Sequence, residues 1–170
     1  MKKLVAAFGA LLGLVACQED VPFGSVVHYS ARDNMFEFFR TATARGPLLV
    51  HVQGSYPGFE SELIADRILN AMEKGMTQRK FKATQDISVA HSPDYRVSWI
   101  VSPPENYNAN RACRGDYPAP IDRGKPTFAI VFCVGDEVYR HMTGWLHSDV
   151  NAQSEQFDKF VGVVTRDLFK

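Results

Sequence analysis

The sequence lacks an excess of either charge. Its 19 Lys and Arg balance 19 Asp and Glu, so nothing in the charge argues for nucleic acid as a partner. It also lacks a run that could cross a bilayer. The apolar stretch at the amino end, from Leu4 to Ala16, is 13 residues long, against about 20 for a spanning helix. No second apolar segment reaches spanning length, and no internal repeat is visible. The common signatures of chemistry are missing as well: no HExxH pair, no GxSxG elbow and no Walker loop. The histidines, His28, His51, His91, His141 and His147, never recur at i, i+4 on a helix, and no spacing sets two carboxylates across a cleft for acid–base work. No residue is therefore assigned a catalytic, cofactor-binding or metal-ligating role.

What is present begins at the amino end. Met1-Lys2-Lys3 is a small basic patch, followed by the short apolar run and small residues, the layout of a secretory signal peptide. A core helix is the alternative, but the run is apolar on every face. The four residues Leu14-Val15-Ala16-Cys17 resemble a bacterial lipobox. That resemblance implies cleavage between Ala16 and Cys17, a diacylglycerol on the Cys17 sulfur and acylation of the new amino group. Two or more chains anchor stably, at about 0.8 kcal/mol per buried methylene. Gln18, where the familiar sorting rule has Asp for inner-membrane retention, points to the outer membrane, facing the periplasm. The expectation is a lipid-anchored protein of the cell envelope, with the membrane as one partner and an envelope protein as the other.

Removing 16 residues leaves 154, with 17 basic and 19 acidic side chains. That length suits one domain with a sizeable core. The expected division is 1–16 signal peptide, 17–30 lipidated tether and 31–170 a single domain. With Cys17 taken by lipid, Cys113 and Cys133 remain as an even pair in an oxidising compartment, and a disulfide is expected. Two separate buried thiols are the alternative.

Periodicity supplies the elements. Met35, Phe36 and Phe39 suggest a short helix over 30–43, with Ser30 or Asp33 as cap. LLVHVQ (48–53) alternates as a strand. GSYPGF (54–59) reads as a turn; a phosphate cradle before the next helix is the weaker alternative, because the glycine spacing is wrong. Phe59, Leu63, Ile64, Ile68, Ala71 and Met72 form one stripe of a helix over 58–74, with Gly75 as its stop. A weaker strand spans 81–90, and 95–101 is a better one with Val97, Trp99 and Val101 inward. After a long polar loop, TFAIVFCV and EVYRHMTGWL flank Gly135-Asp136 as a hairpin. Phe157, Phe160, Val161, Val164 and Leu168 mark a closing helix capped by Ser154 or Ser148.

The resulting fold class is α+β. The expected form is a two-layer sandwich, a mostly antiparallel sheet with helices on one face, in the order β-α-β-β-β-β-α after a short N-terminal helix. Over about residues 47–169 this order resembles the small domains of envelope lipoproteins: activators of penicillin-binding proteins, the curli secretion lipoprotein, the amino-terminal domain of the Tol-system propeller protein, and uncharacterised alphaproteobacterial lipoproteins. No diagnostic motif accompanies the likeness, and no functional residue follows from it. The expected function is a non-enzymatic binding or scaffolding module; a small envelope hydrolase or glycan-modifying enzyme is the alternative. The loop 102–125, carrying Tyr107, Arg111, Arg114 and Tyr117, is the expected partner-binding element. Its Tyr and Arg side chains are expected to point outward. A merely solvated connection is the alternative.

Overall fold

The computed structural model describes residues 22–56, 58–121 and 124–170. The expected signal peptide, Cys17 and the first part of the expected tether lie outside the described residues. The protein is α+β; among the described residues it has a six-stranded mixed sheet and four helices. The chain runs β1 (Phe23–Ser30), α1 (Met35–Ala42), β2 (Leu48–Gln53), α2 (Ser61–Gly75), β3 (Ala83–Thr84), β4 (Tyr95–Val101), α3 (Ala109–Cys113), β5 (Thr127–Val134), β6 (Glu137–Leu146) and α4 (Glu155–Leu168). Across the sheet the order is β1-β6-β5-β4-β2-β3. The pairs β1/β6, β6/β5 and β5/β4 are antiparallel, while β4/β2 and β2/β3 are parallel.

Strong periodicity and turn chemistry place most elements where the residues predict. Gly135 sits at φ +58° while Asp136 keeps an ordinary φ, the Gly-X arrangement that joins two twisted strands in two residues. Val134 then faces Glu137 across the turn. Ser154 caps α4, its hydroxyl accepting from the Phe157 N–H at 3.2 Å. Gly75 ends α2 without a left-handed φ. Its role is packing: a Cβ there would collide with the Gly162 backbone of α4, so glycine permits the close crossing of the two helices.

Four expectations need correction. Residues 23–30, expected in the tether, form the edge strand β1, so the sheet begins before residue 31. The strand expected over 81–90 shrinks to Ala83–Thr84. Asp86 ends it by accepting from the Ser88 N–H at 2.8 Å and its hydroxyl at 2.7 Å, a side-chain turn that competes with the ladder. The loop 102–125 contains a helix, α3, which Asn108 starts by accepting from the Asn110 N–H. Finally, neither Ser30 nor Asp33 caps α1; Asn34 holds that position without a side-chain bond.

The sheet is apolar on both faces. On one, Val50, Val97, Trp99, Phe128, Ile130, Phe132, Met142 and Leu146 pack with Phe39 of α1, Ile64 and Ile68 of α2, and Phe157, Phe160 and Val164 of α4. Trp99 is inward, as its alternation predicts. On the other face a smaller cluster joins Ile100, Ala129, Val131 and Cys133 to Ala112 and Cys113 of α3, with Tyr107 and Tyr117 packed against it.

Candidate functional site

The site is built on this second face, and a local irregularity in β1 shapes it. Val27 pairs with Met142 and Tyr29 with His141, so one extra residue, His28, is inserted opposite β6. A bulge of this kind re-aims neighbouring side chains. His28 Nε2 lies 2.6 Å from the Thr143 hydroxyl, and its ring is 5.2 Å from that of His141. Tyr29 and His141 line a groove of about 560 Å³ with Tyr107, Asn110 and Arg114 from the α3 segment and Glu137 from the hairpin.

Burial, and next the neighbouring His28, push the His141 pKa down to about 4. Its imidazole is neutral near pH 7, with Nε2 buried and without a partner. The Arg114 guanidinium is exposed, and no hydrogen bond or ion pair engages it among the described residues. The groove thus combines a free cation, a free carboxylate on Glu137, two aromatic walls and a neutral imidazole floor. That mixture offers ionic and hydrogen-bonding groups beside apolar walls, the make-up of a ligand-binding pocket.

Three contacts hold α3 beside the groove. Cys113 and Cys133 form a disulfide, with Cα atoms 5.5 Å apart. Arg96 of β4 donates to the Cys113 carbonyl and lies 3.7 Å from Asp136. Tyr117 meets His51 Nδ1 at 2.7 Å and the buried Ser98 hydroxyl at 3.3 Å. His51 is half-buried on β2, and burial, then Arg96, lower its pKa. The chain His51–Tyr117–Ser98 is therefore a clamp between loop and sheet.

The residues expected to bind a partner divide between two roles. Tyr107 and Tyr117 turn inward onto the apolar cluster instead of outward. Burial, and next Tyr117, push the Tyr107 phenol up to about 12. Arg111 is exposed but engaged, with two 2.8 Å bonds to Asp116. Only Arg114 and the edge of Tyr107 reach the groove. The physical reason is area: Ala129 and Val131 are apolar and need a cover, and the two tyrosines are the large side chains the loop has for it.

Elsewhere the candidate motifs serve structure. Tyr56 of the GSYPGF turn is buried, its hydroxyl donating to the Val150 carbonyl at 2.7 Å. Gly54, at φ +101°, approaches Val101 so closely that a Cβ would strike its carbonyl. His147 Nδ1 lies 2.9 Å from the Asp149 carboxylate. Among the described residues no three His, Cys, Asp or Glu side chains gather as metal ligands, and no helix is long and apolar enough to cross a membrane. Sequence reasoning missed His28, Tyr29, Glu137 and His141. The usable signal was FGSVVHYS, rich in residues that favour strands.

No family model matches the chain, and no curated protein matches its sequence. Among solved structures it is similar to a PelC variant dodecamer from Paraburkholderia phytofirmans. The two share 15% sequence identity at a TM-score of 0.43, over 86% of this chain and 97% of that one.

Proposed function

We propose that this chain is a lipid-anchored envelope protein that acts as a non-enzymatic binding module, held at the outer membrane through Cys17 and contacting a protein partner through the groove between α3, β1 and the β5–β6 hairpin. In this reading the domain is a two-layer sandwich. Helices α1, α2 and α4 cover one face, and the other face is left to the disulfide-held loop and its groove.

The observation that carries the reading is the groove itself: about 560 Å³, walled by Tyr29 and Tyr107, with Arg114 free at its rim. The start of β1 and the groove are also well separated. β1 begins at Phe23, whereas the groove lies at the Tyr29 end of the same strand, about 20 Å away at 3.3 Å per residue. A module tethered at one end would hold its binding groove clear of the bilayer.

Two measurements test the reading. Cys17→Ser should release the protein from the membrane fraction and abolish the acylated form; retention of both sinks the lipid anchor. Arg114→Glu combined with Glu137→Arg should leave thermal stability within about 0.5 kcal/mol, since both are surface changes. It should also eliminate any partner cross-links that the wild type forms in intact envelopes. Unchanged cross-links from this folded double variant would remove the groove from the function.

A further inference from the structure

The outer edge of β1 is a strand edge, regular from Phe23 to Val27 and bulged only at His28, that leads into the groove. β1 pairs with β6 alone and stands last in the sheet among the described residues. The direction of its backbone groups follows from two bonds: the His147 N–H donates to the Pro22 carbonyl, and the Ala31 N–H donates to the Tyr139 carbonyl. Antiparallel ladders alternate. Counting by twos from Pro22, Gly24 and Val26 turn their backbone groups to β6, and Phe23, Ser25 and Val27 turn theirs outward. Those outward N–H and C=O groups lie beside exposed apolar side chains, Val26 at 45%, Val27 at 41% and Tyr29 at 51%.

Proteins normally protect such an edge with Lys, Pro, short length, a bulge or cover; in β1 the bulge at His28 leaves the register regular from Phe23 to Val27. The opposite edge of this sheet is protected: β3 is two residues long, preceded by Lys82 and stopped by the Asp86 turn. β1 is eight residues, FGSVVHYS, with no Lys, Arg, Asp, Glu or Pro within it. Tyr29, near its end, is also a wall of the groove.

We propose that β1 takes up an extended segment of a partner protein as an added strand, apolar or β-branched beside Val26 and Val27, whose following residues enter the groove between Tyr29, Arg114 and Glu137. The proposal rests on the reading of the groove as a partner site and names the form of the partner. An extended backbone is the chemistry the edge selects, because it matches outward donors and acceptors repeating every second residue. Side chains then supply specificity in the groove.

The test uses the full-length protein and a displayed library of random octapeptides as probe. Clones selected on the wild type are measured against Val27→Pro, Ser25→Pro and Arg114→Glu. Proline at an outward-facing edge position deletes a free N–H without breaking the β1–β6 ladder, and thermal melting checks that each variant folds. We expect binding to weaken about tenfold or more in each folded proline variant, the scale of one or two lost backbone bonds. N-methylation of alternate peptide residues should abolish binding. Peptides that lose affinity with Arg114→Glu but not with either proline would overturn the strand addition while leaving the groove reading intact. Wild-type protein that dimerises with micromolar affinity, and loses the dimer in Val27→Pro, would assign the edge to a second copy and overturn the proposal. Absence of any selected binder would overturn it also.

Discussion

Removing the disulfide should cost this domain a large part of its stability. Cys113 and Cys133 are 20 positions apart, both fully buried and joined across the open face of the sheet. In the chain-entropy relation, a closed loop of this size restrains the unfolded chain by about 3.3 kcal/mol at 25 °C. The double substitution Cys113→Ala and Cys133→Ala avoids burying hydroxyl groups, and the two missing sulfur atoms add about 1 kcal/mol of lost packing. The expected total is about 4 kcal/mol. For a domain near 150 residues that lowers the melting temperature by roughly 8–16 °C. The assay is paired urea titration and calorimetry on wild type and variant, with two-state behaviour checked by both. The remaining clamps, Arg96 on the Cys113 carbonyl and Tyr117 on His51, should keep α3 docked. Amide exchange over Ala109–Gly115 should therefore quicken without becoming random-coil. A loss below about 1 kcal/mol, with unchanged exchange at α3, would refute the reasoning, because the bridge would then restrain nothing that packing does not already hold.

His141 should make stability pH-dependent. Its folded pKa, near 4, lies below the usual 6.5 because burial disfavours the charged ring; stability is thus full above pH 6.5 and falls as pH drops toward 4. Discounted for partial exposure, the loss is about 1–2 kcal/mol; urea midpoints across that window check it, and His141→Gln should flatten this component. Gly75→Ala should drive a methyl into the Gly162 backbone and cost about 1–3 kcal/mol by overpacking, whereas an increase in the chemical-denaturation midpoint would mean the helices part freely. Tyr117→Phe should cost about 1 kcal/mol, since Ser98 and His51 lose a common partner inside a half-buried clamp; calorimetry indistinguishable from wild type would show that water replaces the phenol.

The elements legible in the sequence are those whose evidence is local. β2 and β4 alternate, α2 and α4 carry one apolar stripe each, and Gly135-Asp136 needs only its own backbone geometry to make a hairpin. The disulfide was legible too, because two cysteines remained for one expected bridge. Tertiary structure alone decided the rest. FGSVVHYS has strand-forming residues but no clean alternation, since an inserted His28 breaks it. Only pairing with β6 makes it a strand. Residues 109–113 form α3 because the sheet, the disulfide and Arg96 hold them. Five residues carry too few internal hydrogen bonds to be helical alone. Residue type alone points the tyrosines of the loop outward. They turned inward because Ala129 and Val131 expose an apolar face that no local pattern assigns a cover. The groove and the imidazole pair join β1 to β6 across more than a hundred residues, and distance in sequence hides which side chains share a wall.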